Sequence, residues 1–164
     1  GMLGTILNCV ALQSALENIG LDTRVMTSLS IPKIAEPYIR RKADSHLNKG
    51  RICIFGGGTG NPFFSTDTTA ALRASELGCT KILIAKNGTD GVYDSDPRKN
   101  KDAKKYTRIT HQEVLEQQLG VMDLTASTMC ASNNIDILVF DMNVKGNIKK
   151  AAIDPTIGTL VTSN

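Results

Sequence analysis

Twelve consecutive residues carry the densest chemistry of the chain: Gly56-Gly57-Gly58-Thr59-Gly60-Asn61-Pro62-Phe63-Phe64-Ser65-Thr66-Asp67. Glycines remove the side chains that hold a backbone away from a phosphate, and the interleaved hydroxyls and amide can hydrogen-bond an anion or a base. The run follows Arg51-Ile52-Cys53-Ile54-Phe55, apolar and β-branched as a buried strand is. It precedes a helical stretch over 66–77 that Ser65 or Thr66 can cap and Gly78 can stop. A helix N-terminus at the end of such a loop offers unpaired N–H groups and a positive dipole end. The combination predicts a phosphate or nucleotide site. An ordinary strand-to-helix turn competes with that reading, but it needs only one glycine.

Other chemically capable residues have plainer explanations. Asp67 and Asp123 stand where helices are expected to begin, a place where a carboxylate gains from free N–H groups. The run Arg98, Lys99, Lys101, Lys104, Lys105 reads as a solvated loop. His46 and His111 have no Cys or second His beside them, so no metal site is expected.

The elements that must position these residues alternate. Helix is expected over 2–19, strand over 23–27, a proline-containing loop over 28–37, and a helix opened by Pro37 and running toward Leu47. The strand at 51–55 and the helix at 66–77 follow, then a strand over 81–86 and a long polar loop over 87–105. Thr110-His111-Gln112-Glu113 is a capping box for a short helix over 111–118. Another helix starts by Asp123, followed by a strand over 136–140, a helix over 146–152 and an end strand over 158–162. Such alternation predicts an α/β domain over 1–164 with a mostly parallel sheet covered on both faces.

Composition narrows the class. With 164 residues, 41% of them hydrophobic, the chain can bury a real core. A net charge of +3 suits small anionic ligands and gives no argument for nucleic acid. Cys9, Cys53, Cys79 and Cys130 form no ligand pattern and read as buried, reduced thiols. No apolar run reaches membrane-spanning length, so no membrane partner is expected.

The glycine-rich run also resembles the nucleoside-monophosphate loop of bacterial-type UMP kinases, members of the amino-acid kinase superfamily. Gly1-Met2-Leu3-Gly4-Thr5 is similar to the start of the family's helix after its substrate-binding aspartate. Asp90-Gly91-Val92-Tyr93-Asp94-Ser95-Asp96-Pro97 resembles the superfamily's nucleotide loop. Val121-Met122-Asp123-Leu124-Thr125-Ala126 and Gly158-Thr159-Leu160-Val161 resemble its C-terminal landmarks. The match runs from the first residue to the last. The family's N-terminal part, with its phosphate-contacting lysine and first glycine-rich loops, has no counterpart. The resemblance therefore implies a three-layer amino-acid kinase sandwich, N-terminally truncated and impaired as a catalyst; a nucleotide-binding or regulatory module that transfers no phosphate, or another small-molecule kinase of the superfamily, is the alternative.

It further implies transfer of the γ-phosphoryl group of Mg-ATP to UMP, in cytoplasmic pyrimidine nucleotide synthesis. Within the loop 56–67, UMP would be bound by Thr59, Gly60, Asn61, Pro62, Phe63, Phe64, Ser65 and Thr66. Thr59 and Thr66 would donate from their hydroxyls, Asn61 would read a uracil edge, and the two aromatics would flank the base or pack in the core. Within the loop 87–97, Asn87, Tyr93 and Asp96 match positions that contact ATP. Asp123 would add a catalytic role to its cap, organising cationic groups around the phosphate. The only cofactor implied is Mg²⁺, with ATP. Family members assemble as hexamers, and inhibition by UTP belongs to what the resemblance implies. Arg24 and Arg51 match basic positions implicated in GTP activation, whereas Gln13 and Glu17 depart from that pattern and speak against it.

Overall fold

In the computed structural model, which describes residues 1–163, the apolar opening stretch forms helix α1 (Met2–Asn18). Ile6 and Cys9 point inward, while Leu3 and Leu7 remain exposed. Strand β1 (Thr23–Thr27) follows, then the two-residue strand β2 (Glu36–Pro37) and helix α2 (Arg40–Asn48). Pro37 therefore closes a strand, and the helix it was expected to open begins at Arg40. Strand β3 (Ile52–Gly56) leads through the glycine-rich loop into helix α3 (Thr66–Glu76). The chain comprises two compact units, Gly1–Thr69 and Ala70–Asn164.

The first unit is built on a parallel sheet ordered β2-β1-β3, with Thr23 opposite Ile52 and Thr27 opposite Gly56. Cys9, Val25, Ala35 and Ile54 form its core, with Leu16 packed against them. Only the second half of β3, an edge strand of this sheet, is well buried; Ile52 at its start is 39% exposed.

The second unit holds β4 (Lys81–Lys86), β5 (Arg108–Thr110), β6 (Asp136–Asp141) and β7 (Thr159–Thr162) in the order β4-β6-β7-β5. The pairs β4–β6 and β5–β7 are parallel, and β6–β7 is antiparallel. Helices α4 (His111–Glu116), α5 (Leu124–Ser132) and α6 (Asn147–Ala151) complete it, with a 3₁₀ turn at Pro155–Ile157. Four successive residues of β6, from Ile137 to Phe140, are buried, as in a strand covered on both faces. Ile137 and Val139 join Ala71, Ile109, Val121, Cys130 and Val161 in one cluster, while Leu138 and Phe140 pack with Ala151 in another. The architecture is α/β with mostly parallel pairing, distributed over two sheets where one was expected.

The capping box forms as read: Thr110 Oγ1 accepts the Glu113 N–H at 3.1 Å, and Glu113 Oε2 accepts the Thr110 N–H at 2.9 Å. His111 is buried with Nε2 2.9 Å from the Ile135 carbonyl oxygen, and burial lowers its pKa. Of the cysteines, Cys9 and Cys130 are buried; burial pushes the Cys130 thiol up to about 11. Cys79 departs from expectation: it lies in the turn after α3 and is exposed. No helix among the described residues is long and apolar enough to cross a membrane.

Candidate functional site

The glycine-rich loop takes its shape from backbone conformations that side chains disfavour. Gly57, Gly58 and Gly60 all have positive φ, at 84°, 61° and 82°. Gly57 is also crowded: its carbonyl accepts the Ser28 hydroxyl at 2.7 Å, and a Cβ there would stand 2.7 Å from Ser28 Oγ. Its N–H donates to Thr5 Oγ1 at 2.9 Å. Thr5 thus ties the first turn of α1 to the loop, a role unread in the sequence.

A cavity of about 320 Å³ lies against this loop within the first unit, lined by the start of α1 and by Gly58, Thr59, Asn61, Pro62, Phe64 and Thr66. The structure thereby brings together five of the eight residues assigned to UMP. The other three have different places. Gly60 turns back on Ser28, Ser65 Oγ accepts the Thr68 N–H at 3.0 Å as the cap of α3, and Phe63 is fully exposed at φ 69°. Neither aromatic packs in the core, since Phe64 is 57% exposed. The Thr59 hydroxyl holds the loop itself, accepting the Asn61 N–H at 3.2 Å and donating to the Asn61 carbonyl at 3.4 Å. Asp67 lies in the first turn of α3, a favourable place for a carboxylate.

A larger cavity of about 680 Å³ belongs to the second unit, lined by residues 88–98 and 117–120. Tyr93 and Asp96 line it. Asn87 is not among the lining residues; its Oδ1 accepts from Asn143 Nδ2 at 2.8 Å. Asp96 Oδ1 accepts the Arg98 N–H at 3.0 Å and so shapes the loop. The Tyr93 hydroxyl donates to Asp90 Oδ1 at 2.7 Å, and Lys105 Nζ lies 2.9 Å from Asp90 Oδ2. Burial works to raise the Asp90 pKa, but these two donors overcome it and hold the carboxyl below its ordinary value. The Tyr93 hydroxyl is shifted up, first by its bond to Asp90 and then by burial. Lys105 is therefore an ion-paired residue and Arg98 a cavity residue, whereas Lys99, Lys101 and Lys104 are exposed as a solvated run should be.

Asp123 is the N-cap of α5, with Oδ1 accepting the Ala126 N–H at 2.9 Å. Arg24 and Arg51 both pair with Asp22, at 2.5 and 2.7 Å. Among the described residues no group of three or more His, Cys, Asp or Glu could hold a metal ion.

Comparison with known proteins gives these loops a context. The model of the amino acid kinase family matches residues 1–141. A uridylate kinase of Deinococcus radiodurans is 54% identical over 163 residues, which are 99% of this chain and 66% of that protein. A uridylate kinase of Pediococcus pentosaceus is 55% identical over 161 residues, covering 98% and 67%. The crystal structure of a UMP kinase from Bacillus anthracis superimposes with a TM-score of 0.96 at 40% identity, covering all of this chain and 68% of that one. The chain thus spans about two thirds of the length of the relatives it matches. Through the family model, the sequence identity and the shared fold, it belongs to the amino acid kinase family, among the uridylate kinases.

Proposed function

We propose that this chain serves UMP phosphorylation: the γ-phosphoryl group of Mg-ATP passes to UMP, giving UDP and ADP. The observation that carries the reading is the cavity bordered by Thr59, Asn61, Pro62, Phe64 and Thr66, on the loop whose residues resemble the family's acceptor loop. Positive-φ glycines let the backbone approach a phosphate closely, Asn61 can both donate to and accept from a uracil edge, and Phe64 offers a flat apolar face. The loop 88–98 would hold ATP, with Tyr93 near the base and Asp96 shaping the turn. Mg²⁺ enters as part of Mg-ATP. In this reading Asp123 keeps its cap and adds negative charge that organises cations near the phosphate. Phosphoryl transfer needs in-line positioning and charge neutralisation more than covalent help, which suits a protein whose loops are rich in backbone donors.

The same reading carries the family's setting: cytoplasmic pyrimidine nucleotide synthesis, assembly into hexamers and inhibition by UTP. The Asp22 pairing of Arg24 and Arg51 supports leaving GTP activation out, since both guanidiniums already have a carboxylate partner. Calorimetric titration tests the proposal. UMP is expected to bind at least about tenfold more tightly than AMP or GMP, the discrimination that one or two lost hydrogen bonds supply. Equal affinity for all three monophosphates would remove the acceptor assignment.

A further inference from the structure

One buried hydroxyl holds the loop that the proposal above assigns to ATP. Thr159, the first residue of β7, is fully buried. Its Oγ1 accepts the Val92 N–H at 2.8 Å and donates to the Tyr106 carbonyl at 2.5 Å. The two segments it touches are also joined to each other. Tyr106 N–H donates to the Val92 carbonyl at 2.9 Å, Asp94 N–H to the Lys104 carbonyl at 3.1 Å, and Tyr93 pairs with Lys105 in an antiparallel bridge. The excursion between them therefore leaves the sheet through a two-stranded neck, and Thr159 bonds to both sides of that neck.

Two glycines make the arrangement possible. A Cβ on Gly91 would stand 2.5 Å from Thr159 Oγ1 and 2.7 Å from Lys105 Cε, so glycine leaves room for both the buried hydroxyl and the lysine stem. Gly158 lies so close to the Val139 carbonyl oxygen that no side chain fits, and the next residue, Thr159, pairs with Val139 in the sheet. Phosphate chemistry gives the Gly158-Thr159 pair no task; the neck does.

We propose that Thr159 is a positioning residue for nucleotide binding, its hydroxyl fixing the neck so that Asp90, Tyr93 and Asp96 stand in their binding arrangement. The role rests on the ATP reading of this loop. Thr159→Val keeps the shape and removes the hydroxyl, leaving the Val92 N–H and Tyr106 carbonyl without that partner. Thr159→Ser keeps it. On the 164-residue chain, Thr159→Val should speed amide exchange at Val92 and its neighbours by about tenfold and weaken Mg-ATP by a similar factor. UMP affinity should hold, and Thr159→Ser should restore both losses. If Thr159→Val does not fold, Thr159→Ala removes the same hydroxyl, leaves the loop's own residues untouched and makes the same test. Unchanged exchange at Val92 overturns the clasp whatever the nucleotide does. A loop that loosens while Mg-ATP affinity stays at the wild-type value overturns the positioning role. A wild-type chain whose residues 88–98 gain no protection from Mg-ATP overturns the ATP reading, and the positioning role falls with it.

Discussion

Between β3 and α3 the chain turns on three positive-φ glycines, and its anchors to the rest of its unit are Ser28 and Thr5. Between β4 and β5 a longer loop is held by side chains: Thr159 from β7 on the Val92 amide, and, from within the segment, Lys105 across Gly91 to Asp90 and Tyr106 on Gln117. The first loop takes its shape from glycines within its own twelve residues and is then pinned by Ser28 and Thr5. The second depends on a strand 67 residues later in the chain. A glycine-shaped loop presents backbone donors with few side chains in the way, which suits a phosphate. A loop clasped through side chains keeps carboxylates and an aromatic in register, which suits a larger nucleotide.

This contrast can be broken from either end. The largest effect should come from the scaffold of the second loop. Gly158→Ala forces a methyl against the Val139 carbonyl and should cost about 3 kcal/mol of stability in denaturant unfolding. Next comes Gly57→Ala, which meets both an unfavourable φ and the Ser28 hydroxyl. It should cost about 2 kcal/mol and damage UMP affinity while leaving Mg-ATP affinity alone. Asn61→Ala and Thr66→Ala should each weaken UMP by about 1–2 kcal/mol with little change in stability, as both residues are exposed. Loss of Mg-ATP binding in these variants would show that the loops are not separable in function.

The smallest effect is electrostatic. The Asp90 carboxyl is held below its ordinary pKa, so its pairing with Tyr93 and Lys105 is complete above that value, 3.8, and is lost as pH falls through the lower folded one. The side-chain signals of Tyr93 and Lys105 should therefore shift on acidification below pH 3.8, and Asp90→Asn should abolish their response. No matching transition is expected over 57–66, whose glycine turns carry no titrating group.

Why the first loop was legible follows from the same contrast. Glycines, a capping serine and a β-branched strand are local signals, and α1, β1, β4 and the capping box of α4 were readable on similar grounds. The misses share a different cause. β2 is two residues ending in proline, and β5 is three residues with a single inward apolar side chain, Ile109, so neither shows an alternating pattern. The antiparallel pairing of β7 and the roles of Thr5 and Thr159 depend on partners far along the chain, and no local spacing encodes them. The bond from the Asn143 amide to Asn87 Oδ1 joins residues 56 positions apart and has no local signal either. The exposure of Phe63 and Phe64 was open in the sequence, since two aromatics after a proline suit a core or a binding surface equally well.

The central claim is that the two loops divide the labour of acceptor and donor. Residue-resolved NMR titration of the 164-residue chain addresses it most directly. UMP should perturb the amides of 57–66 more strongly than AMP or GMP does, and Mg-ATP should perturb those of 88–98. Equal responses of the first loop to all three monophosphates, or a Mg-ATP response confined to 57–66, would contradict the account.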